Sequence, residues 1–276
     1  MLTVIASDAS DAGRLGRVIL VRQASFLTAA DRHFVTDILE PPTSAQDDDG
    51  PALRSVLLRR ALSPPACRVF TNAVKRGALE AAHTQHPEPI AANLLRPALA
   101  DVRGAGSASW GLSAQEVACV LRTGPPELRS ATLQVLWHWI RGGDTSAEET
   151  WRTTIAPLLA RTWPQEREYL DDSTTRGFVN LIVEARDEFP SALEHVRHYL
   201  LPFHRGRGDL LNVEGSEVAL RCPHETLDLL WIVCGPKSRV TYFDMAAIID
   251  QMIEADPDIE IDRRLQWLEQ NTERFD

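Results

Sequence analysis

A chain of 276 residues with 44% apolar and 25% charged residues can bury a sizeable core, as one large domain or two closely packed ones, and has the balance of an ordinary globular protein. No apolar run nears the roughly 18 residues that a bilayer-crossing helix needs, and no cationic segment leads into a sustained apolar core at the N-terminus; neither a membrane span nor a signal peptide is expected, and the location read from this is cytoplasmic. The formal net charge of −10 is uneven: residues 1–100 carry 11 Lys/Arg against 10 Asp/Glu and the rest 18 against 29, a poor footprint for nucleic acid.

Cys67, Cys119, Cys222 and Cys234 form no Cys-x-x-Cys pair, which argues against a zinc ribbon or a disulfide framework and fits buried thiols in a reducing compartment.

In chain order, residues 1–27 read two ways. Met1 to Ile5 and Val18 to Val21 could be short strands, yet Leu15, Val18, Ile19 and Phe26 also allow helix. Thr28-Ala29-Ala30-Asp31 resembles a capping box opening a helix to about Leu39. Pro41 to Gly50 reads as a polar loop carrying Asp47-Asp48-Asp49. A cation site there lacks the Gly and Glu positions of a calcium loop, so an acidic helix N-terminus is preferred. Helices follow over Pro51–Leu62, Pro64 to about Ala82, and 87–102, where Pro97 should bend or break the last.

The Gly104-Ala105-Gly106-Ser107 stretch is the expected joint, dividing a subdomain over 1–103 from one over 104–276. Ser113-Ala114-Gln115-Glu116 is a capping box opening a helix with Val117, Val120 and Leu121 inward. The best-specified element is Pro125–Arg141. There Leu128, Ala131, Val135, Leu136, Trp139 and Ile140 keep helical spacing, and Leu133 and Trp137 widen the apolar face to about two thirds of the circumference. A helix so apolar must be covered on two sides.

Ser146 caps the next helix, with Trp151, Ile155, Leu158, Leu159 and Trp163 inward and Pro157 as a kink. Ser173 opens one with Phe178, Leu181, Ile182 and Ala185 inward, and Pro190 one with Leu193, Val196 and Leu200. Residues 203–221 read as an irregular excursion with room for a short hairpin. Pro223 begins a helix apolar nearly all round from Leu227 to Cys234. Tyr242–Ala255 and Pro257–Asn271 complete the series, with Met245, Ile248, Ile249 and Met252 inward in the first and Ile261, Leu265 and Leu268 in the second. The expected fold is all-α, an irregular stack of antiparallel helix pairs, either α-solenoid-like or a compact helical array.

Candidate chemistry is sparse. His195 and His198 stand three apart, with His204 following, a spacing that can place two imidazoles on one metal. On a helical projection, however, both point away from Leu193, Val196 and Leu200, and a solvated face is the preferred reading. Cys222-Pro223-His224-Glu225 places a thiol at a helix start, where the dipole favours thiolate. A hydrolase or transferase site around Cys222, His224 and the 203–215 loop is the alternative, although no oxyanion hole or orienting group accompanies it. Arg205-Gly206-Arg207-Gly208-Asp209 matches neither a dinucleotide fingerprint nor a Walker loop, and at most could bind a phosphate. No catalytic, cofactor-binding or metal residue is assigned.

Three stretches together, Glu184 to Glu194, Cys222 to Leu230 and Asp256 to Leu265, resemble the helical C-terminal region of large bacterial anti-phage defence proteins, whose N-terminal part is often a sirtuin-like NAD-hydrolysing domain. The likeness covers about residues 30–275. It implies a scaffold or sensor that leaves the chemistry to another domain; no sirtuin-like nucleotide-binding segment is present, so no NAD-consuming activity or catalytic residue carries over. The expectation is a non-catalytic helical module whose partner is another protein or further domains of a larger chain, with no membrane, and with nucleic acid disfavoured by the net charge of −10.

Overall fold

The computed structural model describes residues 2–47, 49–104, 107–204, 211–238 and 245–272. Among them the chain is all-α, with no strand. It divides into two compact units: the first is Met1–Val135 with Pro157–Pro164, the second Leu136–Ala156 with Gln165–Asp276. The division falls inside the central helix. Gly104, at φ 73°, is a left-handed turn within the first unit, and the helices on either side of it pack on one another.

The first unit holds α1 (Leu2–Ser7), α2 (Asp11–Arg22), α3 (Ala24–Ala30), α4 (Arg32–Phe34), α5 (Glu40–Ser44), α6 (Asp49–Leu58), α7 (Pro64–Val69), α8 (Thr71–Leu79), α9 (Glu88–Val102) and α10 (Ala114–Thr123). Residues 2–5 and 18–21, which allowed strand, are therefore helical. Ser10 caps α2, its hydroxyl accepting from the Gly13 N–H. The α3–α4 boundary corrects the expected capping box. Thr28 lies inside α3, its hydroxyl donating to the Ala24 carbonyl, and Asp31 is the cap, accepting from the Phe34 N–H. Ser113 and Glu116 do form a reciprocal capping box on α10.

Prolines shape two helices. A wide π-turn over Val35–Leu39 leads into Glu40-Pro41-Pro42, and another over Trp151–Ile155 leads into Ala156-Pro157. Proline has no N–H and its ring crowds the carbonyl four residues back; a π-turn just before it opens that space. Pro97 behaves differently. α9 runs through it unbroken, with the ring buried alongside Leu94 and Ala98.

The first core gathers Leu53, Leu57 and Leu58 of α6, Ala73, Val74 and Ala78 of α8, and Ile90, Leu94 and Leu95 of α9, all buried. α8 comes so close to α6 that a Cβ on Gly77 would meet Leu58 Cδ1 at 2.2 Å. No larger residue fits there without a shift.

The central helix, α11 (Pro126–Gly142), buries Leu128, Leu133 and Leu136 completely, and Trp137 and Trp139 by half. Its covered arc is as wide as its sequence demands. The second unit continues with α12 (Ala147–Thr150), α13 (Ala156–Thr162, most of which belongs to the first unit), α14 (Asp172–Val183), α15 (Phe189–Val196), α16 (Leu211–Gly215), α17 (Val218–Arg221), α18 (Pro223–Cys234), α19 (Met245–Ala255) and α20 (Arg263–Thr272). Trp151, Phe178, Phe189, Val196, Leu227, Leu230 and Met252 form its core, each at most 1% exposed.

Two expectations shift here. α14 is capped by Asp171 through a reciprocal box with Thr174, so it starts before Ser173. Ile261, expected inward, is 81% exposed, because residues 257–261 form a 3-10 turn that buries Ile259 instead. The excursion at 203–221 contains α16 and α17 among its described residues, while Gly206 and Gly208 lie outside them.

Candidate functional site

The histidines do not converge. His195 is half-buried edge-on against Trp151, with ring centroids 6.0 Å apart, so only part of its ring meets water, and burial followed by the nearby His198 pulls its pKa down. His198 Nε2 sits 3.2 Å from Gln165 Oε1, and the His204 N–H donates to the Asp172 carboxylate at 3.0 Å. Among the described residues no group of three or more His, Cys, Asp or Glu side chains could hold a metal ion.

Cys222 ends α17 and precedes α18, as the sequence placed it. Burial pushes its thiol up, and Glu225 and Asp187 push the same way against Arg221. A helix-start thiolate needs the opposite. His224 is spent elsewhere, its Nε2 2.9 Å from Asp256 Oδ2. Part of the 203–215 loop, with Arg205-Gly206-Arg207-Gly208-Asp209, lies outside the described residues.

The acidic run at 47–49 serves a helix start. Asp47 accepts from the Gly50 N–H at the head of α6, and Asp49 takes Arg14 Nε at 3.2 Å and Arg17 Nη2 at 3.1 Å. Those arginines belong to α2. Arg17 is nearly buried and also donates Nη1 to the carbonyls of Ala6 and Asp8. Asp48 lies outside the described residues.

That ionic seam fixes one end of a groove between α2 and α6. The groove holds roughly 450 Å³ and is lined by Val18 and Arg22 of α2, Val56 of α6, and Arg59 and Arg60 in the turn that follows. Asn93 fixes the other end. This side chain of α9, 2% exposed, accepts from the Leu62 N–H at 2.9 Å and shares its amide hydrogens among the carbonyls of Leu58, Arg60 and Pro89. A buried amide with its hydrogen bonds made restrains the turn, since breaking them strands buried polar groups. Arg59 and Arg60 therefore stand on a fixed backbone. No described group pairs with the guanidiniums of Arg22, Arg59 or Arg60.

α2 itself is apolar on two sides. Gly13, Arg17, Leu20 and Val21 face in, while Leu15, Val18, Ile19 and Arg22, at i, i+3, i+4 and i+7, form an outer stripe. Leu15 is 62% and Ile19 57% exposed. Beyond Arg59 a second hollow of about 990 Å³ runs along α6 to the start of α9, lined among others by Ser55, Glu80, His83 and His86.

No protein-family model and no solved structure matches this chain. It is similar to a rhizobial protein named "Uncharacterized protein y4cA", from Sinorhizobium fredii, at 26% identity over 260 residues. The match takes in 93% of this chain but only 22% of that protein's length, so the chain spans about a fifth of the relative it matches.

Nothing in the sequence names the groove outright. Its one signal is the double periodicity of residues 15–21: a stretch with apolar residues on both sides of a helix cannot be told from a strand by periodicity.

Proposed function

We propose that this chain is a helical scaffold or sensor module that works by protein–protein contact, as a region or stand-alone counterpart of a large bacterial anti-phage defence protein, and that it contributes binding while another domain supplies the chemistry. The observation that carries this reading is the density of exposed apolar side chains along the first three helices. Leu2, Val4, Ile5, Leu15, Ile19 and Phe26 are all large, apolar and exposed there, whereas Leu79, Leu220 and Ile261 are scattered singly elsewhere among the described residues. Apolar side chains gathered at the surface mark contact sites more often than chance exposure does. The resemblance of Glu184 to Glu194, Cys222 to Leu230 and Asp256 to Leu265 to defence-protein C-terminal regions, and a relative of which this region is about a fifth, support the placement in a larger assembly.

The test is a phage challenge of bacteria expressing the gene in its own operon, with wild type and a Leu15→Ser/Ile19→Ser variant, each cross-linked and purified. Wild type is expected to protect and to hold a reproducible partner, and the variant to lose both while keeping its helical circular-dichroism spectrum. Equal protection by the two, or none by wild type, sinks the proposal.

A further inference from the structure

We propose that the α2–α6 groove is the seat of an acidic amphipathic helix of a partner protein; this rests on the interaction reading above and names the partner's chemistry. Four observations converge. The groove lies between two packed helices, and α2 offers its rim at helical spacing, the arrangement into which a third helix lays its i, i+3, i+4 and i+7 anchors. Its floor is aliphatic, Val18 and Val56, and the exposed Leu15 and Ile19 share the outer stripe of α2 with Val18. Its cations, Arg22, Arg59 and Arg60, are exposed and unpaired among the described residues, and no carboxylate lines the groove. Finally, the Asn93 clamp and the Arg17–Asp49 seam hold both ends still, so little ordering remains to be done on binding.

The charge complement follows. Three guanidiniums around an apolar floor, in a chain of net charge −10, select a ligand with carboxylates beside its apolar anchors. A nucleic-acid strand fits less well, since the floor presents no aromatic side chain on which a base could stack. An anionic bilayer also fits less well. The arginines rim a concavity instead of a convex face, and Asp11, fully exposed on α2, would meet the headgroups.

The experiment is a display selection of randomised helical peptides of about four turns against the intact protein, counter-screened on Arg59→Glu/Arg60→Glu and on Leu15→Ser/Ile19→Ser. All four side chains are exposed and make no described hydrogen bond, so both variants are expected to keep the wild-type melting temperature. The expected winners carry Leu, Ile or Phe along one face with Asp or Glu beside it, and lose about tenfold in affinity on each variant. Winners without carboxylates, winners that bind the Arg59→Glu/Arg60→Glu variant as well as wild type, or no winners at all overturn the inference. So does binding of phosphatidylserine vesicles or duplex DNA, abolished in the arginine variant, with no acidic helix enriched. A cross-linked cellular partner that the arginine variant retains sinks this inference while leaving the interaction reading in place.

Discussion

Arg54, 2% exposed, closes on Glu80 through two parallel hydrogen bonds, Nε donating to Oε2 at 2.9 Å and Nη2 to Oε1. Its remaining nitrogen, Nη1, donates to the carbonyls of Thr43 at 3.0 Å and Ala45 at 2.6 Å, the free end of α5. One guanidinium thus joins α5, α6 and the end of α8.

Removing that hub is expected to be costly from one side only. Arg54→Leu strands the carbonyls of Thr43 and Ala45 and removes the tie between three helices, at about 3 kcal/mol. Glu80→Gln costs about 1 kcal/mol, because the Gln amide oxygen still accepts from Arg54 and the side chain it replaces is 38% exposed to screening solvent. Urea unfolding of both variants checks this, and equal losses would contradict it.

The four thiols are expected to react in a fixed order. Native alkylation with iodoacetamide, followed by mass spectrometry, should label the exposed Cys119 first and the half-buried Cys222 more slowly. Cys67, whose thiol burial pushes up to about 12, and buried Cys234 should react only on unfolding. Should Cys222 outrun Cys119, it is an activated nucleophile and the non-catalytic reading fails.

Acid should weaken the capping box of α10. The Glu116 carboxyl is held below its ordinary 4.5, first by Lys75 Nζ at 2.6 Å and then by the Ser113 N–H at 2.9 Å. A carboxyl whose folded pKa is depressed contributes stability above its unfolded pKa and loses it as pH falls through the folded value. Glu116→Gln is therefore expected to melt lower than wild type at neutral pH, and the gap to close below about pH 4.5. The effect is small, since the side chain is 44% exposed to screening solvent. A gap that stays constant down to about pH 3 would assign it to packing.

The turn at 257–261 separates two isoleucines. Ile259→Ala is expected to cost about 2–4 kcal/mol, as buried aliphatic truncations do, and Ile261→Ser to fall within about 0.5 kcal/mol of wild type. Thermal melts of the pair check the assignment directly.

What was readable in the sequence follows from which rule applies where. Trp151, Ile155, Leu158 and Leu159, or Met245, Ile248, Ile249 and Met252, could be placed inward because helical periodicity is a direct image of burial. Ile261 was misplaced because a 3-10 turn advances by three residues, so a 3.6-residue pattern run through it assigns the wrong side chain to the core. The π-turns are hidden in the sequence for a related reason. Pro157 announces trouble, but whether a helix yields by kinking, by widening or, as at Pro97, by absorbing the ring depends on packing from elsewhere. The unpaired state of Arg22, Arg59 and Arg60 could not be read at all. Which arginines meet a carboxylate is decided by contacts such as Arg54–Glu80, 26 residues apart.

The path of the chain has a consequence for inheritance. It leaves the first unit midway along a 17-residue helix, returns to lend that unit Leu158, Leu159 and Trp163, and departs again. A cut between 135 and 136 would sever a hydrogen-bond ladder and strip one piece of buried side chains, so neither half is a viable genetic part. Recombination that leaves a folded product is therefore expected to keep its breakpoints out of residues 135–164.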